Sequence, residues 1–281
     1  MLQIIPVINN KGGVGKTTTS VNLAAGLARQ GRRVLLVDLD SQASASHALG
    51  IGRGDLNPSI ASVLFNGLPI NEAVRETSEP GLDLITASTD LSGAELRLNA
   101  HPARVTHLAR TLHPLRAAYD YIVLDCAPAT SLLNVNALVA ADAVVIPCSP
   151  SFLSVSGLIS FGEVIRQVRA GVGAAAPILG IAMTLADVAR SDVQETLAAL
   201  RRHYGGKLFT TTIRPDPALE KAPLHGQSIF AFDGDSTGAA DYADLVREFV
   251  ERAARYDGVY STLGAKAKVN LDAVREDAVP V

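Results

Sequence analysis

Asn9-Asn10-Lys11-Gly12-Gly13-Val14-Gly15-Lys16-Thr17-Thr18 decides how the rest of this 281-residue chain is read. It follows the apolar run Ile4-Ile5-Pro6-Val7-Ile8 and opens a helical segment from about Thr17 to Gln30. The three glycines let the backbone turn so that successive N–H groups face an anion. The helix start adds its unpaired N–H groups and the positive end of its dipole. In such a cradle Gly12, Gly13, Val14, Gly15 and Thr18 surround the phosphates of a nucleotide. Lys16 reaches the β- and γ-phosphates and the Thr17 hydroxyl ligates Mg2+. The general pattern for this loop has glycine five residues before Gly15, where this chain has Asn10.

Working outward, Arg33 to Leu39 reads as the next strand, with Val34-Leu35-Leu36-Val37 as a buried parallel run. It ends in Asp38-Leu39-Asp40-Ser41-Gln42, so two carboxylates leave the sheet beside the glycine-rich loop. Ligands of open α/β sheets bind at that carboxyl edge. Asp38 and Asp40 are therefore candidates for Mg2+ or water positioning, with helix capping or turn formation as the other reading. A second apolar run, Tyr119-Asp120-Tyr121-Ile122-Val123-Leu124, ends in Asp125. A strand-ending carboxylate downstream of a phosphate loop is the Walker B arrangement, which holds Mg2+ directly or through water.

The remaining pattern alternates. Strands are expected near 82–86, 143–148, 177–185 and 208–213, and helices near 132–141, 152–170, 192–203 and 237–256. Residues 43–81 read as irregular, with short helices near 60–65 and 70–76. Residues 258–281 read as a loosely ordered tail. The expected fold class is α/β: one doubly wound, mostly parallel sheet with helices on both faces, a single P-loop NTPase domain over residues 1–257.

Composition narrows the function classes. The chain is 48% hydrophobic, only 5% aromatic and free of Trp, which suits helices packed closely on a parallel sheet. Cys126 and Cys148 lie in apolar runs, read as buried reduced thiols, and no CxxC pair offers an iron–sulfur or zinc framework. No uninterrupted apolar run nears 18 residues and no cleavable leader is evident, so a soluble intracellular protein is expected. A net charge of −3 assigns any nucleic-acid binding to a local patch.

Lys11-Gly12-Gly13-Val14-Gly15-Lys16-Thr17-Thr18 resembles the deviant Walker A loop of the ParA/MinD superfamily of ATPases. Val37-Asp38-Leu39-Asp40-Ser41-Gln42 is similar to that family's D-x-D-P-Q segment, with Ser41 in place of its Pro. Asp125-Cys126-Ala127-Pro128 is similar to its D-x-P-P segment, with Ala127 for the first Pro. Ile213 to Pro223 is similar to the segment that closes over the adenine, which makes Pro215 and Asp216 the expected base neighbours.

The resemblance implies ATP and Mg2+ as ligands, with Thr17, Asp38 and Asp125 at the metal. It implies that Asp40 orients the attacking water, and that Lys11 crosses to the phosphates of a second subunit in an ATP-bound homodimer. It implies slow hydrolysis that a ParB-like centromere-binding activator speeds up, non-specific binding to double-stranded DNA, and chromosome or plasmid partitioning in a cytoplasmic, nucleoid-associated protein. DNA contacts in the family come from basic residues of the C-terminal half. Here those are Arg190, Arg201, Arg202, Lys207, Arg214 and Lys221, six against four acidic residues between 190 and 221. The family's Arg before L-S-E-A-P is Ala218, its P-R-S-R stretch is Gly234-Asp235-Ser236-Thr237, and its A-L-E-G-L segment lacks the Glu in Ser154-Val155-Ser156-Gly157-Leu158.

Other readings compete. A MinD-like membrane-cycling ATPase needs a basic amphipathic C-terminal helix; residues 263–281 mix Lys266, Lys268 and Arg275 with Asp272, Glu276 and Asp277, and no stable membrane association is expected. A ParA-like positioner of protein cargo uses the same switch. The absent cysteine cluster opposes a metallo-ATPase, and the Asp40–Asp125 pair opposes a scaffold without turnover. Arg97 to Arg116 holds Arg97, His101, Arg104, His107, Arg110, His113 and Arg116 and no acid. Their spacings suggest one helical face, either solvated or binding a polyanion or partner.

Overall fold

The computed structural model describes residues 2–128, 131–172 and 176–262. An apolar four-residue strand, β1 (Ile4–Val7), feeds the glycine-rich loop and then α1 (Lys16–Arg29), which Gly31 follows in the left-handed conformation. Next come β2 (Val34–Asp38), α2 (Ser44–Ala48), α3 (Ile60–Asn66), β3 (Val74–Glu76) and β4 (Leu82–Ile85). Then follow α4 (Ala94–Asn99), α5 (His107–Leu112), β5 (Tyr121–Asp125), α6 (Leu132–Ala140) and β6 (Val144–Cys148). The chain continues through α7 (Phe152–Val172), β7 (Ile178–Met183), α8 (Ser191–Tyr204), β8 (Leu208–Thr212), α9 (Pro217–Lys221), α10 (Ile229–Phe232) and α11 (Thr237–Thr262).

The strands form one eight-stranded sheet in the order β3-β4-β2-β5-β1-β6-β7-β8. Every pairing is parallel except that of β3 with β4. The period-2 alternation of side chains splits each strand between two cores. Ile4, Leu35, Val37, Ile122 and Leu124 face the layer carrying α4 to α8. Ile5, Val7, Leu36 and Val123 face α1 and α11. Burial on both faces is why these strands read as continuous apolar runs.

The topology sets the site. The connection from β1 through α1 to β2 passes over β5, which pairs with both. Asp125 is in register with Asp38 on one side and with Val7 on the other. The ends of three adjacent strands therefore deliver the glycine-rich loop and two carboxylates to one spot, as expected at a topological switch point.

Three local expectations change. Residues 43–81 are more ordered than their glycines and prolines suggest, because α2 packs under the site and β3 adds an antiparallel edge. The Arg/His segment 97–116 is not one helix. It breaks between α4 and α5 and ends as a 3-10 turn, His113–Ala117. Arg97, Arg110 and His113 are exposed, and two others find partners within the fold: His107 Nε2 lies 2.7 Å from the Leu64 carbonyl oxygen, and Arg116 pairs with the half-buried Asp142 at 2.8 Å. Finally, α11 runs to Thr262, past the expected end at Tyr256. The expected tail lies, from residue 263 on, outside the described residues.

Both ends of the sheet are blunted. β3 is only three residues long. At β8, the Glu248 carboxylate of α11 accepts the N–H groups of Thr210 at 2.9 Å and Thr211 at 3.0 Å. Arg252, one turn later, holds Glu248 at 2.7 Å.

Candidate nucleotide site

Gly13 and Gly15 have φ of +71° and +73°, a conformation that side chains with a Cβ rarely adopt. These two turns curl the loop around a cavity of about 350 Å3. Gly12, Gly13, Gly15, Lys16, Thr17 and Thr18 line it, with Asp40, Pro128 and Leu185 at its rim. Val14 points away and is buried, but its carbonyl oxygen accepts the Thr184 hydroxyl at 2.9 Å. Asn9 fixes the start of the loop: its amide donates to the Pro147 carbonyl at 2.7 Å while its side-chain oxygen accepts the Lys11 N–H at 3.1 Å.

Lys16 is buried, and its ammonium donates to the Lys11 carbonyl at 2.6 Å. Burial lowers its pKa, and the nearby Asp125 charge opposes that shift. Such an ammonium, short of solvent and aimed along the loop, is suited to binding phosphate oxygens.

Asp125 is fully buried. Its carboxylate accepts the Thr17 hydroxyl at 2.9 Å and the Ser20 hydroxyl at 2.7 Å. Burial raises its pKa, and the neighbouring Asp38 charge raises it further. Asp38, also fully buried, shifts upward chiefly through burial, against the effect of its hydrogen bonds. These come from the Ser46 N–H (2.9 Å), the Ser46 hydroxyl (2.8 Å) and the Asp40 N–H (3.1 Å). Two buried carboxylates at paired strand ends repel each other, and a divalent cation relieves that repulsion. Thr17 and Asp125, in contact at 2.9 Å, are the oxygen donors here that could hold such a cation. Through its hydrogen bonds Asp38 also pins α2 and the Asp40 turn. Asp40 itself is half-buried at the cavity rim, with one oxygen accepting the Gln42 N–H at 3.0 Å.

Pro215 is exposed, and neither it nor Asp216 lines the cavity. Both Asp216 oxygens are committed, to Ala218 N–H at 2.8 Å and Gly238 N–H at 2.7 Å. It caps α9 and ties it to α11. A smaller cavity of about 200 Å3 adjoins the loop and shares Thr17 and Thr18 with it; Leu219, Ala222 and Pro223 close it. The segment after β8 thus approaches the cradle through its apolar residues.

Sequence reading also missed Ser20, Ser46, Thr184 and Leu185. Ser20 was findable, since it lies one helical turn beyond Lys16 and Thr17. Leu185 was not, because its left-handed φ of +53° and 48% exposure follow from how β7 ends.

Among the residues assigned to DNA, Arg201, Arg202 and Lys207 are exposed near the end of α8, and Lys221 is exposed on α9. Arg190 is paired with Asp192 at 2.7 Å. Arg214 forks onto Asp241, with contacts at 2.6 to 3.2 Å. Its guanidinium remains partly exposed at the surface while paired with that carboxylate.

An AAA domain family model matches residues 2–175. The sporulation initiation inhibitor protein Soj of Bacillus subtilis is 37% identical over 248 residues, covering 88% of this chain and 98% of that one. The chromosome partitioning protein ParA of Caulobacter vibrioides is 36% identical over 253 residues, covering 89% and 95%. The chain belongs to the ParA/Soj-type P-loop ATPases. The solved structure of cobyrinic acid a,c-diamide synthase from Mycobacterium smegmatis, with a bound ATP analog and magnesium, superposes with a TM-score of 0.79. It is 30% identical and covers 90% of this chain and 96% of that one. The doubly wound sheet is thus the P-loop ATPase fold that ParA/Soj-type chains share. Among the described residues no helix is long and apolar enough to cross a membrane.

Proposed function

We propose that this chain is an ATP-driven dimerisation switch that binds double-stranded DNA without sequence preference and partitions a chromosome or plasmid with a ParB-like activator. The observation that carries the reading is the division of labour between two lysines of one loop. Lys16 is buried in the cavity with Thr17, Asp40 and the Asp125 carboxylate close by, whereas Lys11 does not line it.

Gly12, Gly13, Gly15, Lys16 and Thr18 bind the phosphates of ATP, and the cavity closed by Leu219 and Pro223 takes the apolar part of the nucleotide in preference to Pro215 and Asp216. Thr17 and Asp125 hold Mg2+, with Asp38 bracing the site from behind; the ion, when bound, neutralises phosphate charge. Asp40 stands at the rim, where it orients water. Lys11 adds positive charge from a second subunit, which favours the transition state once two copies have met. Loss of the γ-phosphate then loosens the pair. Hydrolysis is slow until the activator binds, and the protein resides on the nucleoid.

The exposure of Arg201, Arg202, Lys207 and Lys221 supports this reading, and we assign the DNA contacts to them ahead of Arg190 and Arg214, which each carry an acidic partner. The test is DNA binding with ATP, ADP and no nucleotide at two salt concentrations. Binding that requires ATP and weakens with salt is expected. Equal binding with ADP rules out the switch. Liposome co-sedimentation with ATP separates a membrane-cycling alternative.

A further inference from the structure

Lys11 leaves its own cavity by a defined route. A Cβ built on Gly157 of α7 would lie 2.7 Å from Lys11 Cε, 2.9 Å from Cγ and 3.4 Å from Cδ. The stem of Lys11 therefore lies along one bare helix Cα, closer than any side chain at that position permits. Gly157 sits in the interior of a 21-residue helix, where glycine is a weak helix former and α-helical backbone gives no conformational reason for it. Close approach of another group is the remaining reason, and the group is Lys11.

At its other end Lys11 is held by its backbone. Its N–H donates to Asn9 and its carbonyl accepts Lys16. With the main chain fixed and the stem flat on α7, Lys11 does not line the Gly12–Thr18 cradle.

We infer that Gly157 is a positioning residue for Lys11: it opens the track on α7 along which the lysine stem is carried toward a second copy of the chain. This rests on the proposed reading of Lys11 as a lysine that acts across a dimer. A methyl group at 157 lifts the stem off the helix and turns the ammonium, while the phosphate cradle, which Gly157 does not line, stays intact.

The test is Gly157→Ala in the full chain, with three readouts. Monomer affinity for ATP is expected to stay within about twofold, and dimer affinity with a non-hydrolysable ATP analogue to fall about tenfold or more, near 1.4 kcal/mol. The 13C-methyl resonance of reductively methylated Lys11, assigned with Lys11→Arg, is expected to move. Unchanged dimer affinity overturns the inference. So does weakened dimerisation with an unmoved Lys11 resonance, which would mean that α7 acts by packing alone. A wild-type chain that stays monomeric with the analogue defeats the dimer reading itself, and the inference with it. If Gly157→Ala does not fold, adding Lys11→Ala removes the clash; recovery of folding supports the contact and failure of the double variant overturns it.

Discussion

The ammonium of Lys16 donates to the carbonyl oxygen of Lys11 at 2.6 Å, so the two lysines of the phosphate loop are tied to each other while their side chains serve different directions. One closes the loop from inside. The other lies on α7.

Lys16→Ala removes both the phosphate ligand and the bond that closes the loop. ATP affinity is expected to fall at least about 100-fold, roughly 2.7 kcal/mol, as measured by titration calorimetry. Because burial disfavours the Lys16 ammonium, apo stability is expected to change little or rise. Unaltered ATP affinity would remove the loop from the mechanism.

Asp40→Ala has a different signature. The Asp40 side chain makes one local bond, to the Gln42 N–H, so the expected stability loss is about 0.5 kcal/mol or less. ATP binding is retained, phosphate release in a coupled assay falls to background, and the dimer accumulates on size exclusion. Normal turnover would show that the water is oriented elsewhere.

Thr184→Val tests a group outside the loop. The Thr184 hydroxyl is the partner of the buried Val14 carbonyl and its side chain abuts Gly15. Leaving that carbonyl unpaired costs about 1–2 kcal/mol. The loop loosens, and KM for ATP is expected to rise severalfold with little change in kcat.

The basic residues divide into two groups. Arg214→Ala breaks the fork onto the nearly buried Asp241 and is expected to lower stability by about 1 kcal/mol, some 2–4 °C in Tm, without changing the salt dependence of DNA binding. Arg201→Ala and Arg202→Ala are expected to leave Tm alone. Each reduces the slope of log affinity against log salt by about one unit if it contacts a phosphate.

The buried carboxylates give the apo protein a pH dependence. Asp38 and Asp125 have pKa values raised on folding, first by burial, so the folded state binds more protons than the unfolded chain. Their contribution is therefore least unfavourable below the ordinary carboxylate range, about pH 4, and worsens as pH rises through the raised values. Tm of the apo protein is expected to decline from about pH 5 to pH 8, and Mg2+ with ATP to flatten the decline. Differential scanning fluorimetry across that range checks both.

Most of this site was legible because its chemistry is local in sequence. The loop from Lys11 to Thr18 and the strand-ending Asp38 and Asp125 announce themselves by strand, turn and charge, and β1, β2 and β5 bring them together. Long-range partners were not legible. Nothing near Asp216 indicates that Gly238 N–H will occupy its second oxygen, and nothing near Arg214 indicates Asp241, 27 residues on. The spacing of Arg97 to Arg116 looked helical, but the break before α5 and partners as distant as Asp142 decided otherwise.

The Glu248 carboxylate has a consequence for how copies of this chain can meet. By occupying the N–H groups of Thr210 and Thr211, it takes the places a ninth strand would use, and the opposite margin ends in a three-residue strand running the other way. An exposed strand margin is what lets proteins knit into fibres. With one margin capped by a carboxylate and the other cut short, neighbouring copies of this chain have no ready zipper between them, and any meeting of two copies is left to their faces.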